Sequence, residues 1–154
     1  PVNLEPVPLG DVLRAAVEAA EASYRTSGVG LHLGPVPEVN VEVDRERIGQ
    51  VLDNLLRNAL QHGATVVQMT SHVSEGWVCV DVIDDGRGIP EEQLAHVFER
   101  FYRGDGHRRH DEGAGTGVGL TISRAIAQAH GGTLHAASGG VGRGATFALR
   151  LPVS

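Results

Sequence analysis

Apolar and polar residues repeat along this chain with two periods, which predict helices and strands. Spacings of three and four residues, typical of one helix face, predict helices over 11–25, 44–62 and 117–130. A shorter helix is predicted over 90–97, with Pro90 as its first residue. β-rich runs predict strands at 31–33, 39–43, 65–74, 77–84, 133–137 and 145–151. Helices and hairpins alternate, so we predict an α/β fold, a two-layer sandwich whose mixed sheet is mostly antiparallel and covered on one face by helices.

The apolar stripes predict which helix faces are buried, and the flanking residues predict where the elements end. The first stripe contains Val12, Ala16, Ala19, Ala20 and Ser23. The second contains Ile48, Val51, Leu52, Leu55 and Ala59. Asp44 is expected to cap the second helix and Gly63 to end it. Hairpins are predicted at Glu75-Gly76 and across SGGVGRG at 138–144.

A row of amides lies beside the apolar stripe of the second helix. Asn54, Asn58 and Gln61 follow one another at spacings of four and three, so they share one edge of that helix. Amides next to a core can hold a metal or a phosphate without adding charge. A solvated helix edge is the alternative interpretation, and this row alone does not decide between them.

An aspartate ends the strand at 77–84 on its buried side. Val78, Val80 and Val82 alternate, and the same period puts Asp84 on the face that the helices cover. A buried carboxylate needs a donor. Gly86 and Gly88 follow and would let the backbone approach a ligand closely. The alternative is a surface aspartate in an ordinary strand-end turn.

A glycine-rich segment leads directly into the helix at 117–130. Residues 113–120 read GAGTGVGL, and they follow a predicted loop of about a dozen residues at 104–116. Amides of such a segment, with the positive end of a helix, can bind an anion. The spacing is not that of a Walker A P-loop. A plain linker is an equally good interpretation of this segment alone.

Composition narrows the class of protein. The chain has 154 residues, 41% hydrophobic and 21% charged, which predicts one globular domain over 1–154 with a leading segment at 1–10. A net charge of -6 argues against a nucleic-acid face. One cysteine, Cys79, excludes an internal disulfide, and no apolar run reaches the ~20 residues of a membrane helix. Because the chain begins at Pro1, we expect it to be part of a longer protein.

Four segments in a fixed order make a specific resemblance. NLLRNALQH (54–62), DDGRGIP (84–90), FERFYR (98–103) and GAGTGVGL (113–120) resemble the N, G1, F and G2 boxes of sensor histidine kinases. The similarity extends over about 40–152 and includes GATFALRLP at 144–152. It implies the catalytic and ATP-binding domain of such a kinase, within the GHKL superfamily, with a Bergerat-type fold and with ATP and Mg²⁺ as cofactors.

The resemblance also assigns roles to matching positions. Asn58 would coordinate Mg²⁺, Asp84 would accept a hydrogen bond from the adenine amine, and Thr146 would join that network through water. The backbone beside the base would be that of Gly86, Gly88 and Ile89. Residues 104–116 would form the ATP lid, and Arg103, with Arg100, would neutralise phosphate charge. The phosphate segment would consist of Gly115, Thr116, Gly117, Val118, Gly119 and Leu120.

Three positions depart from the family pattern or bear on mechanism. Gln61 stands where the family usually has lysine, which would weaken the phosphate contact, and Arg108 or Arg109 could substitute. His62 stands where tyrosine is frequent, and would lie near adenine or ribose or only cap the helix. Asn54 stands where hydrolytic relatives carry a glutamate base. An amide is no base, so Asn54 favours transfer to histidine over hydrolysis.

The implied function is donation of the ATP γ-phosphoryl group to a histidine in another domain of the parent kinase. None of the eight histidines here is followed by a family-like acceptor motif. The implied partners are the dimerisation and acceptor-histidine domain and, indirectly, a response regulator in two-component signalling. No nucleic acid and no direct membrane contact is expected for this part, on the cytoplasmic side of a membrane sensor.

Two alternatives stay open. The first is a serine kinase of the anti-sigma type, in which the F box should be weak or absent. The second is a degenerate module that binds nucleotide or a partner protein without phosphotransfer, and Gln61 is the feature that favours it.

Overall fold

A computed structural model describes residues 1–99 and 118–154, without the side chain of Val118. Within those residues helices and strands alternate along the chain. In order they are β1 (Glu5–Pro8), α1 (Leu9–Ser27), β2 (Gly30–Leu33), β3 (Asn40–Val43), α2 (Arg45–Gln61), β4 (Val66–Ser74), β5 (Trp77–Asp84), α3 (Glu91–Leu94), α4 (Val118–Ala129), β6 (Thr133–Ala137) and β7 (Ala145–Pro152).

The main sheet has five strands in the order β2-β4-β5-β7-β6. Only β2 and β4 run parallel, and the other three pairings are antiparallel. Every second residue of β5 and β7 is buried, and helices α1, α2 and α4 contact this sheet. The buried strand side chains are Val67, Met69, Val78, Val80, Val82, Leu134, Phe147, Leu149 and Leu151. The predicted sandwich with a mixed, mostly antiparallel sheet is confirmed.

A second, two-stranded sheet joins β1 to β3 in antiparallel register. The pattern of residues 1–10 predicts no strand, because prolines punctuate it. The structure accommodates Pro6 and Pro8 because β1 pairs on one side only, where a missing N–H removes no ladder bond. Pro8 also precedes the first residue of α1, so this helix begins at Leu9, two residues before the predicted start.

The buried face of α1 differs from the predicted one at two positions. Ala16, Ala20 and Tyr24 follow one another at a spacing of four and are buried, whereas Ala19 and Ser23 are exposed. The prediction was wrong for these two because the bulky Tyr24 determines which row of the helix faces the core. On α2 the predicted stripe is confirmed in full, with Leu56 added to it.

Asp44 caps α2, as predicted, and links two distant parts of the chain. Its carboxylate accepts from the backbone N–H groups of Arg47 and Asn3. The bond from Asn3 is the largest cause that lowers the Asp44 pKa. Its own N–H donates to Nε2 of the buried His130 at 3.0 Å, while Nδ1 of His130 lies 2.8 Å from the carbonyl oxygen of Ile126. His130 therefore carries its proton on Nδ1 and ties the end of α4 to the start of α2.

Helix α3 is shorter than predicted. Pro90 is extended, with a ψ of 146°, and lies before the helix rather than inside it. The helix ends at Leu94 and turns follow as far as Phe98. The predicted span of 90–97 was therefore wrong at both ends, and the ψ of Pro90, which is not helical, explains the later start.

The hairpin between β4 and β5 is confirmed at Glu75 and Gly76, whose φ angles are +50° and +83°. Two positive φ angles in succession are those of a type I′ turn, whose twist matches the strands. Trp77 begins β5 immediately after it. The guanidinium carbon of Arg150, on β7, lies 4.6 Å from the centre of the Trp77 ring.

Candidate functional site

Asp84 is the last residue of β5 and faces the helices, as the alternation predicts. It is 5% exposed. Its Oδ1 accepts a hydrogen bond of 2.8 Å from the N–H of Gly86, two residues further along. Its Oδ2 is buried and has no hydrogen-bond partner among the described residues. The carboxylate is thus held by one oxygen and leaves the other available.

The end of α2 brings two more unpaired polar atoms to the same side of the sheet. Asn58 and His62 are four residues apart and share a helix face. Nδ2 of Asn58 and Nδ1 of His62 are both buried without a partner in the described part of the chain. Nδ1 of His62 lies 3.6 Å from Oδ2 of Asp84, which is beyond hydrogen-bond distance. Buried polar atoms without partners are costly, so this cluster fits a polar ligand.

Tyr24 connects α1 to this cluster, and the sequence-based reasoning missed it. Its hydroxyl donates to the carbonyl oxygen of Leu56 at 2.6 Å. Burial raises the pKa of Tyr24 above its usual value, and the negative charge of Asp84 raises it further. The negative charge of Asp84 therefore acts on a residue of α1. The spacing of Tyr24 from Ala16 and Ala20 is the sequence signal that could have identified it.

Gly86 and Gly88 permit close approaches, and in this structure the approaches are to protein backbone. A Cβ at Gly86 would overlap the carbonyl oxygen of His62, and a Cβ at Gly88 would overlap that of Gly140. Gly88 also has a φ of +79°. These contacts explain why glycine is needed there. The predicted proximity of this backbone, including Ile89, to an adenine stays a prediction.

Asp85, the next residue, is bonded through both of its oxygens. Oδ1 accepts from the N–H groups of Thr65 and Val66 at 2.7 and 3.0 Å, and Oδ2 accepts from the Thr65 hydroxyl. These bonds, with that of the hydroxyl as the largest cause, lower the pKa of Asp85 to about 2. Asp85 therefore fastens the turn after β5 to the start of β4, a role that no local pattern predicted.

Asn54 joins the amide row of α2 to the first turns of α4. Its Nδ2 donates to the carbonyl oxygen of Gly119 at 3.3 Å and to Oγ of the buried Ser123 at 2.9 Å. Leu120 is half-buried against the core. The structure thus places Asn54, Gly119 and Leu120 next to one another.

Phe98, from the predicted F box, packs between the sheet and α4. Its ring meets Phe147 edge-on at a centroid distance of 6.1 Å. The guanidinium carbon of Arg124 lies 5.1 Å from the centre of the Phe98 ring. The carbonyl oxygen of Phe98 accepts from the Thr121 hydroxyl at 2.8 Å. These contacts are those of a structural anchor at the base of the segment that follows.

Thr146 is not brought to this cluster in the predicted way, and the phosphate contact predicted for Gln61 stays a prediction. Thr146 pairs with Ile83, whereas Asp84 pairs with Ala145, so the side chain of Thr146 lies on the opposite face of the sheet. It borders a surface concavity of about 240 Å³ at the strand ends, which Asp84 and Ala145 also line. Gln61 is half-buried at the end of α2, and its backbone oxygen accepts from Arg87 at 3.0 Å.

The rest of the predicted site lies outside the described residues, and its roles stay predictions. It comprises Arg100, Arg103, Gly115, Thr116, Gly117, the segment 104–116 and the side chain of Val118.

Among the described residues, no group of three or more histidines, cysteines, aspartates and glutamates could hold a metal ion. No helix in the same residues has the length and apolar character needed to cross a membrane.

Comparison with known proteins agrees with the fold and the motifs. Residues 43–154 match the family described as histidine kinase-, DNA gyrase B- and HSP90-like ATPases. The signal transduction histidine-protein kinase AfsQ2 of Streptomyces coelicolor is 40% identical over 74% of this chain and 21% of its own length. The probable sensor histidine kinase TcrY of Mycobacterium tuberculosis is 38% identical over 99% of this chain and 32% of its own. The chain therefore spans a third or less of these relatives.

Solved structures give the same result. The ATP-binding domain of PrrB from Mycobacterium tuberculosis superposes with a TM-score of 0.78 at 31% identity, covering 98% of each chain. Full-length ShkA in complex with AMPPNP superposes with a TM-score of 0.84 at 28% identity, covering 100% of this chain and 32% of that one. The chain belongs to the histidine kinase-, DNA gyrase B- and HSP90-like ATPase family, as an ATP-binding domain of the sensor histidine kinase type.

Proposed function

We propose that this domain binds Mg²⁺-ATP and donates its γ-phosphoryl group to an acceptor histidine elsewhere in a parent sensor kinase. One observation carries the proposal: Asn58, His62 and Asp84 present three buried polar atoms that have no hydrogen-bond partner in the part of the chain that the structure describes. A nucleotide bound at this cluster would supply the missing partners. The family to which the chain belongs, and a relative solved with AMPPNP, support the choice of nucleotide.

In adenine recognition the two oxygens of the Asp84 carboxylate would have different roles. Gly86 N–H occupies Oδ1 and fixes the orientation of the group, so Oδ2 can accept from one further donor. The exocyclic amine of adenine is such a donor. A base with an oxygen at the same position would place acceptor against acceptor, so the carboxylate selects adenine over hypoxanthine or guanine.

Asn58 would offer its amide oxygen to Mg²⁺. This cation keeps several waters and is held by few protein ligands plus substrate phosphates, so a single amide oxygen suits it and a carboxylate cluster is not needed. When bound, the cation neutralises phosphate charge and stabilises the charge that develops during transfer. Asn58 would hold it, and Asn54 would keep α4 beside the phosphates through its bonds to Gly119 and Ser123.

The residues around Asn54 favour transfer over hydrolysis. The Nδ2 of Asn54 is engaged by α4, and an amide is not a base. The neighbouring carboxylate of Asp53 is exposed and pairs with Arg57. Neither Asn54 nor Asp53 therefore offers a general base to a water molecule, whereas a neutral imidazole needs none. This favours a histidine acceptor over the serine acceptor of the anti-sigma alternative.

The acceptor and the partners come from the parent protein. Because the relatives are several times longer, we infer that an acceptor-histidine domain accompanies this one and that a response regulator takes the phosphoryl group afterwards. We place the domain on the cytoplasmic side of a membrane sensor, where ATP is available.

The test mixes this chain with the acceptor-histidine domain of its parent and γ-labelled ATP, and follows acid-labile label on the acceptor. We expect Mg²⁺-dependent transfer and a dissociation constant of roughly 10–1,000 μM for an ATP analogue. Asn58→Ala should remove the Mg²⁺ dependence of binding, while Asn40→Ala, at an exposed strand position, is the control.

Binding without any transfer would favour the degenerate module. Label on serine would favour the anti-sigma alternative. No binding at all would contradict the proposal.

A further inference from the structure

The turn between β6 and β7 packs directly on the turn that carries Asp84. Gly142 N–H donates to the carbonyl oxygen of Arg87 at 2.7 Å, and Gly144 N–H donates to that of Gly86 at 3.2 Å. Two glycine-rich turns, more than 50 residues apart in the chain, are therefore joined backbone to backbone.

The Ser138 hydroxyl lies at the junction of these turns. Its Oγ accepts from the N–H groups of Ile89 at 3.0 Å and Gly140 at 3.1 Å, and it donates to the carbonyl oxygen of Gly144 at 2.6 Å. The single donor and both acceptor positions of this hydroxyl are used. One small side chain thus fixes the β6–β7 turn and binds it to the residue that follows Gly88.

The contact between the turns leaves no space for adjustment. A Cβ at Gly88 would overlap the carbonyl oxygen of Gly140, and a Cβ at Gly144 would overlap that of Asp84. Any displacement of the β6–β7 turn therefore moves the backbone of residues 84–89. Gly86 N–H, which orients the Asp84 carboxylate through Oδ1, belongs to that backbone.

We propose that Ser138 is a positioning residue for base recognition. Its hydrogen bonds to Ile89 and Gly144 fix the backbone of residues 84–89. The N–H of Gly86 in that backbone orients the Asp84 carboxylate, so Ser138 determines the direction in which Asp84 Oδ2 points. Ser138 itself does not touch the nucleotide. The inference rests on the proposed function, since it concerns how the adenine site is held in shape.

The experiment compares ATP with inosine triphosphate, which carries an oxygen where adenine has its amine. Dissociation constants of both are measured for the wild-type chain, Ser138→Ala and Ser138→Thr. Ser71→Ala is the matched control, because the Ser71 hydroxyl has no partner among the residues that the structure describes and lies about 13 Å along β4 from Val67, which pairs with Asp84.

We expect Ser138→Ala to weaken ATP binding about fivefold, the worth of one hydrogen bond, with little change for inosine triphosphate. The preference for adenine therefore falls by the same factor. Ser138→Thr keeps the hydroxyl, and the concavity that Ser138 borders gives its methyl group room, so the preference should return to within twofold. A role limited to stability would lower the melting temperature and leave the preference unchanged.

The outcomes separate the two proposals. If the wild type prefers ATP and Ser138→Ala keeps that preference, the role of Ser138 is wrong and the nucleotide site stands. If the wild type binds neither nucleotide, both proposals fall. Should Ser138→Ala not fold, Ser138→Cys, with a similar volume and a weakly hydrogen-bonding thiol, is measured the same way, and an unchanged preference overturns the proposal.

Discussion

Asp84 and Asp85 are neighbours in the chain, but their carboxylates lie in opposite surroundings. Asp84 is buried on the helix side of the sheet, and one of its oxygens has no hydrogen-bond partner within residues 1–99 and 118–154. Asp85 belongs to the turn after the strand, and the start of β4 engages both of its oxygens. Asp84 can therefore bind a ligand, whereas both oxygens of Asp85 accept hydrogen bonds from within the protein.

The difference shows how the molecule separates binding from stability. A carboxylate whose oxygens are both hydrogen-bonded stabilises the native state. A buried carboxylate with an unpaired oxygen destabilises it, until a ligand donates a hydrogen bond to that oxygen. The alternation of β5 places Asp84 on the buried face. Because the strand ends at Asp84, the next residue, Asp85, can turn towards Thr65. Mutations at and around the pair should therefore affect stability and nucleotide affinity independently.

The largest effect is expected at Gly144, which lies against the carbonyl oxygen of Asp84. Gly144→Ala would put a Cβ into that oxygen at a φ of +67°, and we expect about 3 kcal/mol less stability in urea unfolding. Gly142→Ala is the control, because Gly142 shares a positive φ but has nothing near its Cβ. It should lose only about 1 kcal/mol. Equal losses would show that contact with the Asp84 turn contributes nothing.

Asp84→Asn should lower affinity for an ATP analogue roughly 100-fold, because an amide nitrogen cannot accept from the adenine amine. Stability should change little or rise, since one oxygen remains for Gly86 N–H and a buried charge disappears. Isothermal titration and urea unfolding measure the two quantities. Asp85→Asn is the control for affinity and should stay within twofold, and a comparable loss there would break the distinction between the two carboxylates.

Asp85→Ala should do the reverse, with nucleotide affinity retained and the melting temperature lowered by a few degrees. The backbone N–H groups of Thr65 and Val66 lose their acceptor in this variant. Asp11→Ala removes an exposed carboxylate that pairs with Arg14 on the surface, so it should leave the melting temperature nearly unchanged. If both variants melt alike, Asp85 does not fasten the turn.

Acid should remove the contribution of Asp85 gradually. Its folded pKa of about 2 is below the ordinary 3.8, so the group stabilises the fold above the unfolded pKa. That contribution falls as the pH decreases from about 4 to about 2. The difference in unfolding free energy between the wild type and Asp85→Ala should be constant near neutrality and shrink in that window. Asp44, whose pKa is also lowered, is present in both proteins and cancels. A difference that persists at pH 2 would contradict this assignment.

Local periodicity was enough to predict the parts of the site that one element supplies. Alternating valines on β5 placed Asp84 inside, and the spacing of three and four on α2 placed Asn58 beside the core. The cap at Asp44 and the turn at Glu75 also depend only on near neighbours. These features follow from geometry that a single helix or strand fixes by itself.

Features that depend on distant parts of the chain could not be predicted this way. Asp85 bonds to Thr65, twenty residues earlier, and Ser138 bonds to Ile89 across the junction of two turns. Gly88 approaches a carbonyl at Gly140, although its sequence context suggested a ligand. Thr146 was assigned without the strand register, which puts it on the far face. Each of these follows from tertiary contacts that no local pattern contains.

The stacking of Trp77 beneath Arg150 makes the fluorescence of Trp77 sensitive to the folding of the sheet. Trp77 is the only tryptophan, and seven residues of β5, about 23 Å, separate it from Asp84. Its emission should therefore shift when the sheet unfolds and stay constant when a nucleotide binds near Asp84, at the other end of the strand. A single fluorescence channel can thus follow folding without interference from ligand occupancy.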